Sequence, residues 1–303
     1  MNEQGTGTRN QEPGTRGQIR YVAVIGAGTM GHGIAYAACL GGYSVAITDA
    51  DAGTLERGES RIHAAFDKAV EREKCTPAER ETGLSRLSCI STPAEAVIDA
   101  DLVIEAIPEQ LELKQRLFAS IEDIVLPRTI LASNTSSLSI SAIASVLTHR
   151  ERLIGLHFFN PVPVMKLVEI VRGAVSSDAV VETARRFAVS LGKTPIVVED
   201  SPGFASSRLG VVLGLEAMRM LEQGVASAED IDRAMELGYN HPVGPLRLTD
   251  IVGLDVRLAI ADHLHATIGG DTYRPPDLLR RMVADGKLGK KSGQGFYRWE
   301  NEG

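Results

Sequence analysis

The feature that most constrains the fold is Gly26-Ala-Gly-Thr-Met-Gly31, set directly after the apolar run Tyr21-Val-Ala-Val-Ile25. Such a run reads as a buried parallel strand, and glycines spaced in this way at its end permit a tight turn into a helix. Gly26 allows the turn, Gly28 lets the backbone approach a pyrophosphate, and Gly31 lets the following helix pack closely on the strand. Ala27, Thr29 and Met30 complete the loop. The predicted helix runs on through Ile34, Ala35, Ala37, Ala38 and Leu40, with its first amides and positive dipole end facing the phosphates. After Gly41-Gly42 a second apolar run, Tyr43-Ser-Val-Ala-Ile47, delivers Asp49 about 20 positions beyond the motif. A carboxylate there accepts hydrogen bonds from an adenosine ribose and repels a 2′-phosphate, which predicts NAD over NADP as cofactor. A glycine turn without any ligand is the alternative. Strand, helix and acid together outweigh it.

The 303 residues are 44% apolar and 23% charged, with a net charge of -7, and this length suits two domains better than one. The acidic balance argues against a nucleic-acid partner. No apolar run is long enough for a membrane span. Cys39, Cys75 and Cys89 lack metal-ligand spacing and cannot all pair, so no metal site is expected, and reduced cytoplasmic thiols are. Residues 1–18, rich in Gly, Thr, Gln and Asn, read as a disordered tail with neither signal-peptide nor transit-peptide character.

Beyond Asp49 the chain alternates helix and strand, as a parallel sheet covered on both faces requires. A charged helix is predicted over Thr54–Lys74, a strand over Asp101–Ile107, a helix from about Leu111, and a strand over Thr129–Ser133 ending in the polar turn Asn134-Thr-Ser-Ser137. Ligands of open parallel sheets gather beyond the C-terminal strand ends, which puts Glu105–Glu109 and Asn134–Ser137 at the cofactor cleft. Arg152–Leu156, Met165–Val171 and Pro195–Val198 supply three more strands. From Phe204 onward helices dominate, over Ser206–Gly224, Ser227–Leu237, Thr249–Thr267 and Asp277–Asp285. The predicted fold is α/β: a Rossmann-like NAD-binding domain over 19–200, then a smaller all-α domain over 201–303. The apolar set Leu209, Val212, Leu213, Leu215 and Met218 suits either a dimer interface or packing onto the first domain.

Gly155-Leu-His-Phe-Phe-Asn-Pro-Val-Pro-Val-Met-Lys-Leu-Val-Glu169 carries the chemistry. A histidine, a proline-containing turn and an apolar strand ending in a carboxylate can fold back to place Glu169 against His157, a general base with its orienting partner. His32, His63, His149, His241, His263 and His265 keep solvated or capping readings.

With these blocks the chain resembles the 3-hydroxyacyl-CoA dehydrogenase family, its 3-hydroxybutyryl-CoA dehydrogenase branch included, over about Arg20–Trp299. Further carriers of the likeness are Glu105-Ala-Ile-Pro-Glu109, Ser133-Asn-Thr-Ser-Ser137, Asp200-Ser-Pro-Gly-Phe204, His241-Pro-Val-Gly-Pro245, Asp250-Ile-Val-Gly-Leu-Asp255 and Lys287–Tyr297. The resemblance implies an NAD-dependent dimer that oxidises an L-3-hydroxyacyl thioester, with His157 as base, Glu169 as its partner and Ser136 on the reacting oxygen. It places Glu109, Lys114, Asn160 and Lys291 around NAD, ordinary surface charge being the alternative for Lys114 and Lys291. It points to Lys68 and Arg72 for the thioester's nucleotide. One departure stands out: where the family has asparagine before an arginine, this chain has Ser207 before Arg208. Serine is shorter and lacks the amide's extra donor. Its alternative role is to cap its own helix turn. Carrier-protein thioesters, free hydroxy acids and a catalytically silent NAD-binding or structural protein remain as other functional readings.

Overall fold

The computed structural model describes residues 19–299, so the tail expected over 1–18 lies outside the described residues. Two compact units divide the chain: one holds residues up to Thr135 and Ile140–Val197, the other Ser136–Ser139 and residues from Val198.

The first unit opens with β1 (Tyr21–Ile25), α1 (Gly31–Leu40) and β2 (Ser44–Thr48), then α2 (Ala52–Glu71), α3 (Pro77–Leu84), β3 (Leu87–Cys89) and α4 (Pro93–Val97). It continues through β4 (Leu102–Glu105), α5 (Leu111–Ile121), β5 (Ile130–Ser133), α6 (Ile140–Ala144), β6 (Leu153–Phe158), β7 (Leu167–Arg172), α7 (Asp178–Ser190) and β8 (Thr194–Glu199). The eight strands lie in the order β3-β2-β1-β4-β5-β6-β7-β8. Pairing is parallel from β3 to β6, and β6 pairs antiparallel with β7. The order reverses between β1 and β4, which opens the crevice where ligands of such sheets bind. Burial follows the sequence pattern: β4, β5 and β6 are buried along their whole length, as strands covered on both faces must be.

Local chemistry sets the boundaries. Asp51 caps α2 by accepting from Thr54 N, and α2 stops at Glu71 because the chain then turns through Glu73, at φ 55°, to bond Lys74 N to Ala69 O. The long helix expected to Lys74 is therefore shorter. After it comes α3, opened by a Thr76–Glu79 capping box.

In the second unit α8 (Ser206–Glu222), α9 (Ala228–Gly238), α10 (Pro245–Val252), α11 (Leu254–Ile268) and α12 (Asp277–Ala284) surround a core of Val211, Leu215, Met218, Leu246, Leu254, Leu264 and Leu279. The single helix expected over Thr249–Thr267 is two, divided at Gly253, whose φ of 105° no helix accommodates. Of the apolar set on α8, Leu215 and Met218 fill this core while Leu209 is 72% exposed.

The segment after α12 is held by carboxylates. Asp250, wholly buried, accepts from Phe296 N (2.9 Å), Tyr297 N (2.9 Å) and Trp299 Nε1 (2.8 Å). Asp232 accepts from Leu246 N, Arg247 N and the Tyr297 hydroxyl. Arg247 lies over the rings of Tyr297 and Trp299. A Cβ at Gly295 would fall 2.1 Å from Asp250 Oδ1, so only glycine fits where the strap crosses the carboxylate. The Asp250 and Lys287–Tyr297 motifs thus close the helical unit on itself.

Candidate active site

The glycine loop is shaped by close approach. A Cβ at Gly31 would fall 1.6 Å from the carbonyl oxygen of Gly26, and one at Gly26, where φ is 102°, 2.6 Å from that of Ala106. Gly31 is therefore required by the loop's own turn more than by the strand beneath α1. Gly28 is different: a Cβ there would meet nothing within 4 Å, so the space in front of the loop is open. An open face over glycine backbone at the start of a ten-residue helix fits a dinucleotide's pyrophosphate. Ala27 anchors the loop from beneath. Its side chain is wholly buried beneath Gly58 of α2, and its N–H donates to Asp49 Oδ2 at 2.7 Å. Asp49 Oδ1 accepts from Asp51 N at 3.0 Å, so each oxygen of this half-buried carboxylate keeps acceptor capacity for a ribose hydroxyl. His32 Nδ1 donates to Gly28 O at 2.7 Å.

Lys114 is not a surface charge. Its side chain is 1% exposed, and its ammonium lies 2.5 Å from Glu105 Oε1, 3.2 Å from Ile107 O and 3.3 Å from Glu109 Oε2. Sequence spacing gave no sign of this, because the partner Glu105 ends a strand and Lys114 lies nine residues on, in α5.

At the far side of β5, His157 and Glu169 face each other across the antiparallel β6–β7 ladder. His157 Nδ1 lies 2.7 Å from Glu169 Oε2, with His157 6% exposed and Glu169 fully buried. A carboxylate only accepts, so Nδ1 carries the hydrogen and Nε2 is the basic nitrogen of the ring. Glu169 sits inside β7 and does not end it, which places it in the middle of the ladder. Phe159 stacks on the His157 ring at 4.4 Å between centroids, and Asn134 Oδ1 accepts from Phe158 N at 2.9 Å. The connecting loop is tied down by Val162, buried against Gly33 of α1, and by Lys193, whose ammonium donates to the carbonyls of Val162 and Met165. Desolvation lowers the pKa of Lys193 from the usual lysine range.

The other expected site residues are placed as follows. Ser136 is exposed in the turn after β5, and Asn160 is exposed in the β6–β7 loop, before a cis Pro161. Lys68, near the end of α2, and Arg72, its C-cap, are exposed and carry no ion pair among the described residues. Lys291 pairs with Asp255 at 2.6 Å in the second unit. Ser207 is the second residue of α8, whose cap position is Ala205 with no side-chain bond; the Ser207 hydroxyl takes no partner among the described residues. Its expected capping alternative is thus absent. Among the surface histidines His149 meets Glu151 at 3.4 Å. Cys39, Cys75 and Cys89 are free thiols, and no cluster of metal-ligating side chains occurs among the described residues. No described helix is long and apolar enough to cross a membrane.

Comparison with known proteins agrees with this geometry. Residues 21–201 match the 3-hydroxyacyl-CoA dehydrogenase NAD binding domain, and residues 203–299 the C-terminal domain of the same family. A protein of Bacillus subtilis named probable 3-hydroxybutyryl-CoA dehydrogenase is 44% identical over 285 residues, 94% of this chain and 99% of the relative. The human mitochondrial hydroxyacyl-coenzyme A dehydrogenase is 40% identical over 93% of this chain and 92% of its own. The crystal structure of (S)-3-hydroxybutyryl-CoA dehydrogenase from Ralstonia eutropha superposes with a TM-score of 0.90 at 41% identity, covering 94% of this chain and all of that one. Matched through both of its units, the chain belongs to the NAD-dependent 3-hydroxyacyl-CoA dehydrogenase family.

Proposed function

We propose that the protein oxidises a short- or medium-chain L-3-hydroxyacyl-CoA reversibly to the 3-keto thioester, with His157 as general base. The buried His157–Glu169 pair carries this reading. Nε2 of His157 takes the substrate hydroxyl proton as the C3 hydrogen departs as hydride, and the C–O bond becomes a carbonyl. NAD, when bound, supplies the hydride acceptor. Glu169 holds the ring in the tautomer with its hydrogen on Nδ1 and stabilises the imidazolium that forms. Ser136 is assigned the hydrogen bond to the reacting oxygen, and Ser207 the polar role that the family resemblance gives to an asparagine. Asp49 receives the adenosine ribose, Gly28 faces the pyrophosphate, and Glu109 and Asn160 complete the cofactor's surroundings in this unit; Lys291 is assigned to the cofactor by the family resemblance alone. Lys68 and Arg72, exposed cations at the end of α2 without ion pairs among the described residues, suit the phosphates of the CoA nucleotide.

The enzyme acts as a homodimer through its helical unit. Arg257 of α11 is 5% exposed, and its guanidinium has no hydrogen bond or ion pair among the described residues. Burial pushes its pKa down to about 10. An unpaired buried cation is costly, and an acceptor from a second copy offsets that cost. Exposed Leu209, Ile251, Val252 and Val256 on α8, α10 and α11 add apolar area to the same interface. The three free thiols fit a reducing cytoplasm.

The test is NAD reduction across L-3-hydroxyacyl-CoA chain lengths, carrier-protein thioesters and the matching free acids. Turnover confined to CoA thioesters is expected. Preference for a free acid or a carrier thioester would overturn the CoA assignment, and NAD binding without turnover on the whole panel would make this a silent binding protein.

A further inference from the structure

The turn Ser136–Ser139 lies between β5 and α6 in sequence, yet it groups with the helical unit. Within that unit Ser139 Oγ donates to Asp200 Oδ2 at 2.7 Å, a bond between residues 61 positions apart. Asp200 stands just past β8, and from it the chain runs through Ser201-Pro-Gly-Phe204 into α8, where Ser207 is the second residue. A hydrogen bond therefore joins the turn that carries Ser136 to the segment that carries Ser207.

That segment is itself held tightly. Phe204 N donates to Ser201 O at 2.9 Å, and Arg208 N donates to Gly203 O at 2.9 Å. Arg208 also reaches back with Nη1 to Ser201 Oγ at 3.4 Å, while its Nε donates to the Tyr273 hydroxyl at 2.9 Å. Phe204 is 4% exposed and takes a φ of 47°, a left-handed conformation that costs a non-glycine residue energy and persists only where its surroundings enforce it. A Cβ on Gly203 would fall 2.9 Å from the Leu264 side chain of α11, so the turn lies directly on the helical core. Asp200 is thus the near end of a stiff bracket whose far end presents Ser207.

Ser139 is exposed and Asp200 half-buried, so water competes for both groups and their bond adds little to folding stability. What a short bond at that place does is fix geometry. We propose that Asp200 is a positioning residue for the substrate: through Ser139 it holds the turn bearing Ser136 at a set spacing from Ser207, without itself touching the substrate. The inference rests on the reading that puts Ser136 at the reacting oxygen.

The test breaks the bond from either side. Ser139→Ala removes the donor and Asp200→Ala the acceptor, whereas Asp200→Asn keeps an amide oxygen for Ser139. Each alanine variant should lower kcat on L-3-hydroxybutyryl-CoA roughly tenfold, because a small misplacement of an orienting group is costly in turnover. The NAD dissociation constant, measured by titration calorimetry, should stay within about twofold and the melting temperature within a few degrees, since neither the glycine loop nor a buried core is disturbed. Both alanine variants break the same bond, so the double variant should lose no more than about the worse single one. Asp200→Asn should keep most of the turnover. Wild-type kcat in Ser139→Ala, losses that multiply in the double variant, or an Asp200→Asn enzyme as impaired as Asp200→Ala would overturn the proposal. Ser136→Ala separates it from the reading beneath. Wild-type turnover in that variant would remove Ser136 from the reacting oxygen and the proposal with it, whereas an impaired Ser136→Ala beside an unimpaired Ser139→Ala would strike the positioning role alone.

Discussion

Glu169 is the direct cross-strand partner of His157, and its Oε2 stands 2.7 Å from the imidazole Nδ1 in a site closed to water on the carboxylate side. Ladder register sets this contact and rotamer choice only completes it, so the orientation of the base is built into the backbone. Glu169→Gln keeps the shape and removes the charge. It should lower kcat by about one to three orders of magnitude with little change in NAD affinity, measured by steady-state kinetics beside cofactor titration. A kcat within twofold of wild type would show that the carboxylate is not supporting the imidazolium.

The second prediction concerns Asp49. Its carboxylate fixes Ala27 N–H in the loop and is proposed to receive the ribose, so Asp49→Ala should both erode the preference for NAD over NADP and cost about 1 to 2 kcal/mol of stability. The ratio of kcat/KM for the two cofactors, with a denaturant titration, reads both effects. An unchanged ratio would detach Asp49 from the ribose.

Ser207 stands where the family resemblance implies asparagine, and its hydroxyl has no hydrogen-bond partner among the described residues at the start of α8. Ser207→Asn should change kcat/KM on the best 3-hydroxyacyl-CoA by roughly tenfold, one well-placed hydrogen bond being worth about 1 to 3 kcal/mol, while NAD affinity stays put. A gain would mark the serine as a tolerated deficit and a loss would mark a rebuilt pocket. Unchanged kinetics would remove Ser207 from the site.

In the helical unit Asp250→Ala should leave three part-buried donors without their acceptor and cost about 3 kcal/mol. The chain's single tryptophan, Trp299, is one of those donors, so its fluorescence reports the release directly during thermal unfolding. A wild-type melting curve would contradict the clasp. Arg257→Met should act in two opposed ways. Removing an unpaired buried cation should stabilise the isolated chain, and in the proposed dimer the loss of its partner across the interface should weaken association by about tenfold or more. Sedimentation across a dilution series separates these outcomes. A dimer unaffected by the change would move the interface elsewhere, and a wild-type monomer would remove it.

Local features were legible in the sequence because their causes lie within a few residues. The Gly26–Gly31 turn, the strand delivering Asp49 and the helical character after Phe204 all follow from glycine conformation and apolar periodicity. The His157–Glu169 pairing was legible because a short proline-containing loop joins the two strands and forces them together. Lys114 could not be read, since a lysine in an amphipathic helix looks solvated until the strand end carrying Glu105 is packed beside it. The clasp of Asp250 on Phe296, Tyr297 and Trp299 spans 46 to 49 residues, a separation at which single-sequence patterns carry no pairing information. The break at Gly253 was hidden because apolar residues continue in helical phase on either side of it, and only the backbone φ reveals it.

The central claim, that His157 is the proton acceptor, is tested most directly by comparing His157→Gln with the wild-type enzyme in turnover and in cofactor binding. Loss of the base should lower kcat on L-3-hydroxybutyryl-CoA by about two to four orders of magnitude, while the NAD dissociation constant stays within about twofold, because the glycine loop and Asp49 are untouched. Oxidation of the substrate by the variant at the wild-type rate would contradict the mechanism.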